Sequence, residues 1–259
     1  MLTAMNSDGV KVHARLADRA AKPFTCFCCR SEVTLRRGEA KAAHFAHRPP
    51  VNCEYGRGES DAHRRAKEEI FYHLSRSPAV EKLELERDLG EVRPDVSCYL
   101  RGVPVAIEVQ ASSLSVERIA RRTEQYARKG VYVLWLPLHT PELLTQLYDP
   151  RPWERWLHAA YFGRVYYWAG GLRVRPVHFR EYFAGARGRT KDYRRLSRRV
   201  VPLEGGEVSL LEDFTRCDSG GWRGSGVEFP RMRLFVDTRP RWYWEGGVNW
   251  VRRLGPFVA

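Results

Sequence analysis

The chain has 259 residues, 43% hydrophobic and 29% charged, which excludes a disordered segment and allows a sizeable core in one to three domains. No apolar run approaches the ~18 residues of a membrane span, and residues 1–9 lack a basic region leading into an apolar stretch, so the chain reads as cytoplasmic. The net charge of +13 calls for a polyanionic partner: nucleic acid, ahead of an acidic membrane surface or an acidic protein.

Residues 10–16 and 32–35 alternate in the manner of short strands. Between and after them fall Cys26, Cys28, Cys29, His44, His47 and Cys53, while Cys98 and Cys217 stand apart. In a cytosolic chain such a cluster implies metal before disulfide. Cys26-x-x-Cys29 supplies two thiolates from one tight turn, and zinc asks for four soft or borderline donors in a tetrahedron. The second pair is ambiguous; His47 with Cys53 is the first choice and His44 the alternative ligand. Cys28 is expected to point away. A redox role for the CxxC lacks the βαβ context that such motifs keep. Residues 1–57 are therefore expected to form a zinc-ribbon-like module.

The spacing then predicts a helix over about 60–76, with Ser60 as N-cap and Asp61 in the first turn. Its apolar stripe is Ile70, Phe71 and Leu74; continued backwards at helical spacing it reaches Lys67 and His63, with Glu59 just before the cap. Polar groups on an inward face need partners, a function or access to water at the helix end. Residues 83–86 alternate as a strand.

The hairpin that follows is the most informative segment. Residues 93–100 and 103–110 both alternate, and Arg101-Gly102 fits a two-residue turn. Leu100 then pairs with Val103, which sets Asp95 opposite Glu108 at a non-hydrogen-bonded position, where facing side chains lie closest. Pro104 falls at another non-hydrogen-bonded position, where its missing N–H costs the pair nothing. Two facing acids repel unless a cation lies between them, and Gln110 points the same way. Such a sheet face is either merely solvated or the metal site of a phosphodiesterase.

Ser115 is expected to cap a helix to about residue 129, ended by Gly130, with Val116, Ile119, Thr123, Tyr126 and Ala127 inward and the arginines mostly outward. Residues 131–136 read as a buried central strand. The order helix, three strands, helix, strand defines a mixed α/β core over 58–162. Residues 141–148 and 153–161 look helical, and residues 165–174 suggest a hairpin turned at Gly170-Gly171. Residues 163–259 form a basic, Trp-rich α+β region with strand-like pieces at 233–237 and 241–252. Its run 187–199 carries Arg194, Arg195, Arg198 and Arg199, candidates for tracking a phosphate backbone, with Trp222, Trp242, Trp244 and Trp250 available for base stacking.

Taken in order, Cys26-x-x-Cys29, the His44-Phe45-Ala46-His47 and Cys53 run, Glu59-Ser60-x-x-His63-x-x-x-Lys67, Arg93-Pro94-Asp95, Ile107-Glu108-Val109-Gln110-x-Ser112 and Arg122-x-x-x-Tyr126 before Trp135 resemble the CoiA-like competence protein family. The resemblance covers residues 26–135. It implies a nuclease core of the PD-(D/E)xK, restriction-endonuclease-like kind, with αβββαβ order. Carried over, Asp95 and Glu108 would hold Mg²⁺ or Mn²⁺, and Gln110 stands where the wider superfamily has lysine. Lys67 or His63 would then supply the missing charge or proton transfer, beside Glu59. The expected function is a metal-dependent deoxyribonuclease that processes incoming DNA during competence and recombination, with recombination proteins as further partners. The alternative is a non-catalytic DNA-binding or recombination-assisting module with a vestigial core; the residues carry no discriminator between DNA and RNA.

Overall fold

The computed structural model describes residues 1–39, 41–50, 52, 53, 55, 59–111, 114–161, 163–181, 199–217 and 248–251. It is a mixed α/β structure built on three sheets. Arg194, Arg195, Arg198, Ser112, Trp222, Trp242, Trp244 and the strand expected at 233–237 lie outside the described residues; Arg199 lies inside them and is exposed.

The first sheet holds β1 (Thr3–Met5), β2 (Lys11–His13), β3 (Phe24–Thr25), β4 (Glu32–Arg36) and β5 (His44–His47), ordered β2-β1-β3-β4-β5 with antiparallel neighbours. Its small core centres on Phe24 and Phe45, whose ring centroids are 5.0 Å apart, with Val33, Cys26 and Cys53 buried beside them.

The second sheet runs through the main core. Helix α1 (Asp61–Leu74) opens on the Ser60 cap, whose hydroxyl accepts from the His63 N–H. Strands β6 (Val80–Leu85), β7 (Val96–Leu100) and β8 (Val103–Gln110) follow as an antiparallel meander, and α2 (Val116–Arg128) carries the chain to β9 (Tyr132–Pro137), parallel to β8. The expected hairpin register holds: Leu100 faces Val103 and Val96 faces Ile107. Both turn residues take positive φ, 50° at Arg101 and 76° at Gly102, as a primed two-residue turn requires. Strand β9 is buried throughout, which is why it reads as an unbroken apolar run.

The 141–148 helix does not form. Only a 3₁₀ turn stands at Pro141–Leu144, without a side-chain cap, and the Tyr148 backbone pairs with Val200 instead. Helix α3 (Pro152–Ala160) does form, and its Glu154 carboxylate accepts from the Arg151 backbone N–H at 2.7 Å. Strands β10 (Val165–Gly170), β11 (Arg173–Glu181), β12 (Val200–Glu204) and β13 (Val208–Ser209) make the third sheet, whose apolar residues join the same core as the second. Strands β14 (Phe214–Cys217) and β15 (Val248–Val251) pair in parallel and extend the second sheet beyond β9.

Candidate active-site cleft and metal centre

The four first-choice zinc ligands converge. Cys26 follows β3, Cys29 lies in the turn before β4, and His47 faces Val33 across the β4–β5 ladder, so the hairpin brings the imidazole back to the CxxC turn. The ligating atoms of Cys26, Cys29, His47 and Cys53 all lie within 4.8 Å of one another. Cys29 Sγ is 3.2 Å from His47 Nε2, and Cys26 Sγ is 3.8 Å from Cys53 Sγ. His44 turns away, its Nδ1 2.8 Å from the Ala42 carbonyl, and Cys28 is exposed. Burial pushes the Cys26 thiol up to about 11. At Cys29 the bonds from Ser31 and His47 outweigh burial and bring the thiol down to about 6. Three sulfurs and one imidazole match a closed, four-coordinate zinc centre.

The second cluster lines a cleft of about 550 Å³ between α1, the β7–β8 edge and α2. Asp95 sits just before β7, one step past the last paired residues. Its carboxylate accepts from the Val109 N–H at 2.9 Å and meets His63 Nε2 at 3.0 Å. Lys67 is only 2% exposed and ion-pairs with three acids: Glu59, Glu86 at 2.7 Å and Asp95 at 3.3 Å. Burial alone would lower its pKa, but the carboxylates of Glu86, Asp95 and Glu59 hold it well above the usual lysine value. Asp95 is half-buried, and desolvation would raise its pKa, yet His63 and Lys67 keep its carboxyl below the ordinary aspartate range.

Glu108 faces the other way. Its Oε1 accepts from Arg122 and from the Tyr126 hydroxyl, both on the inward side of α2. Burial, with Asp95 nearby, pushes its carboxyl up to about 7 despite Arg122 and Tyr126. Gln110 ends β8 at the cleft wall. Within this cleft, the described residues whose donor atoms cluster closely enough for one ion are Glu59, His63 and Asp95; Glu108 stands outside that group. The hairpin thus delivers Asp95 and Glu108 to one cleft, but α1 claims the first and α2 the second.

Three participants were given no role at the site by the sequence. Glu86 accepts from the Leu2 and Thr3 N–H groups at 2.9 and 3.1 Å and from the Thr3 hydroxyl at 2.6 Å, besides Lys67. Arg122 reads as an outward helix residue, although it stands one turn from Tyr126 on the same stripe. Arg93, just 8% exposed, donates through Nε to the Glu86 carbonyl. Arg118, Arg121 and Arg122 of α2 make the cleft wall strongly basic.

Residues 59–142 match the family described as competence protein CoiA, nuclease-like domain, and residues 8–56 the one described as competence protein CoiA, N-terminal domain; together they take in just over half of the chain. Competence protein CoiA of Bacillus subtilis (strain 168) is 28% identical over 114 residues, 44% of this chain and 31% of that protein. The match therefore spans about a third of that relative's length. The chain belongs to the CoiA-like family. No solved structure matches it. No helix among the described residues is long and apolar enough to cross a membrane.

Proposed function

We propose that this chain is a metal-dependent nuclease of the PD-(D/E)xK type, acting on DNA during competence and recombination. In this reading residues 1–57 are a zinc module, 58–162 a restriction-endonuclease-like core and 163–259 a basic accessory region. The carrying observation is the convergence of Asp95 and Glu108 on one buried cleft with His63 and Lys67 from α1 and an arginine-rich wall. Oxygen donors from Asp95 and Glu108, with Glu59 alongside, suit Mg²⁺ or Mn²⁺. Such an ion supplies an acidified water and charge neutralisation at the phosphate. His63, against Asp95, is placed to move a proton. Lys67 supplies the cation that Gln110 cannot, and Gln110 can still orient water by hydrogen bonding.

A second reading, a DNA-binding or recombination-assisting module with a vestigial core, draws on two observations: glutamine stands at position 110, and Glu108 is already bound by Arg122 and Tyr126. A cleavage assay with Mg²⁺ or Mn²⁺ on single-stranded, duplex and branched DNA and on RNA separates the two. The nuclease reading expects cleavage that vanishes in Asp95→Ala and in Glu108→Ala while binding persists. Equal activity in wild type and both variants would sink it.

A further inference from the structure

The zinc module contributes more than ligands. Phe27 lies inside the Cys26–Cys29 turn and Tyr55 lies two residues beyond Cys53, whose sulfur interacts with the Tyr55 backbone N–H. Both rings reach one cation of the core: the Arg93 guanidinium carbon is 4.7 Å from the Phe27 centroid and 5.0 Å from that of Tyr55. Both distances lie within the range of a cation–π attraction. Arg93 is more than nine-tenths buried and lines the cleft, and its Nη2 has no hydrogen-bond partner among the described residues. Tyr55 is 37% exposed, and it is an aromatic side chain on a cleft lined mostly by charged residues.

An aromatic ring held by a zinc loop, backed by an arginine and set beside Arg118, Arg121 and Arg122, has the two parts of a single-strand binding groove. One part tracks phosphates by charge; the other offers a π-face to a base. We propose that Tyr55 is a base-stacking platform that commits this cleft to single-stranded nucleic acid, including frayed or unpaired ends. This deepens the proposed function and rests on its premise that the cleft takes nucleic acid. A duplex keeps its bases stacked on one another and can offer none to Tyr55, whereas any base of a single strand fits, because every base has a π-face. Arg93 acts here as a positioning residue: it orients the ring and adds positive charge beneath the stacked base.

The test uses the full, zinc-loaded chain without added Mg²⁺ or Mn²⁺, so that it does not depend on cleavage. The probes are a short single-stranded DNA carrying 2-aminopurine, whose fluorescence is quenched on stacking, and the same sequence as a duplex. Wild type should bind the single strand more tightly than the duplex and quench the probe. Tyr55→Ala should abolish the quench and lose about 5- to 150-fold in single-strand affinity, the fold-change of one lost base–aromatic stack. Duplex affinity should stay within about twofold, as expected for phosphate contacts that Tyr55 does not make. Tyr55→Trp should keep both quench and affinity, and unchanged zinc content and melting temperature establish that each variant folds. The proposal is overturned if Tyr55→Ala quenches and binds as wild type does, or if single-strand and duplex affinities fall together and Tyr55→Trp restores neither. Binding of neither probe by wild type overturns the nucleic-acid premise along with it. Quenching by a wild type that never cleaves with Mg²⁺ or Mn²⁺ leaves the platform standing and defeats only the nuclease reading.

Discussion

Two polar clusters flank β1, and they are neutralised in opposite ways. In the first sheet, Cys26, Cys29, His47 and Cys53 turn four electron-pair donors toward one another. On the cleft side, the acids come with cations and a hydroxyl: Lys67 for Glu59, Glu86 and Asp95, Arg122 and Tyr126 for Glu108. Charges buried with their own partners hold together without a ligand, whereas a ring of donors gains its cohesion from a metal. The same chain therefore contains one site whose metal is expected to be structural and one where an ion must compete with resident side chains.

The largest expected effect is on the first cluster. Metal analysis should find about one zinc per chain, as a single four-ligand site requires. Cys26→Ser or Cys29→Ser should lose it. Structural zinc contributes about 10–16 kcal/mol to the folding of small zinc peptides, and this sheet has only a small core of its own. Hydrogen exchange should then show residues 1–53 unfolding locally while α1, β6 to β9 and α2 stay protected. A purified chain without zinc whose first sheet remains protected would break the comparison.

The next effect is at Lys67. Lys67→Met removes the cation and leaves Glu59, Glu86 and Asp95 crowded in a buried site. Breaking such a pair costs about 3–5 kcal/mol, read as a drop in urea or thermal midpoint. Because the loss is one of compensating charge, Mn²⁺ should recover part of it in Lys67→Met while shifting wild type less. If Mn²⁺ stabilises both proteins equally, Lys67 and the ion do not share the same carboxylates.

How far the sequence exposed this site follows from the range of the contacts. The helix stripe His63, Lys67, Ile70, Leu74 and the register across Arg101-Gly102 are local patterns, and both are realised. The convergence of Cys26, Cys29, His47 and Cys53 was legible from residue type and spacing, and the β4–β5 ladder sets His47 rather than His44 beside the cysteines. Glu86 was invisible because its β1 partners are more than 80 residues away along the chain. Arg122 was misplaced because a charged side chain is assigned to water by its type, although helical periodicity sets it on the stripe of Tyr126, where a buried carboxylate on β8 draws it inward. The helix expected at 141–148 gave way to a long-range bridge from Tyr148 to Val200, which no local propensity announces.

Glu86 is where the first sheet meets the cleft, and it gives the smallest and most discriminating test. Its carboxylate joins β1 of the first sheet to Lys67 of the cleft. Burial would raise its pKa, but Lys67 holds it well below the ordinary glutamate value of 4.5. The unfolded chain therefore binds more protons than the folded one once the pH drops below about 4.5, and stability must fall with falling pH. The Glu86 contribution is fully present above that value and is lost as the pH falls through the folded pKa. Glu86→Gln keeps a similar shape and removes this proton. It should cost about 1.5–3 kcal/mol near neutral pH, the range for a hydrogen bond to a charged group. Below about pH 4.5 the gap to wild type should close by up to about 1.4 kcal/mol per pH unit, the linkage slope for one proton. Urea melts of the two proteins across pH 3 to 7, a window of about one unit below to a few above the carboxylate range, measure that gap directly. A gap that stays constant would mean that Glu86 titrates alike in the folded and unfolded chains, so that Lys67 does not hold its charge; a gap that closes as the pH rises would mean that Glu86 keeps its proton in the folded state.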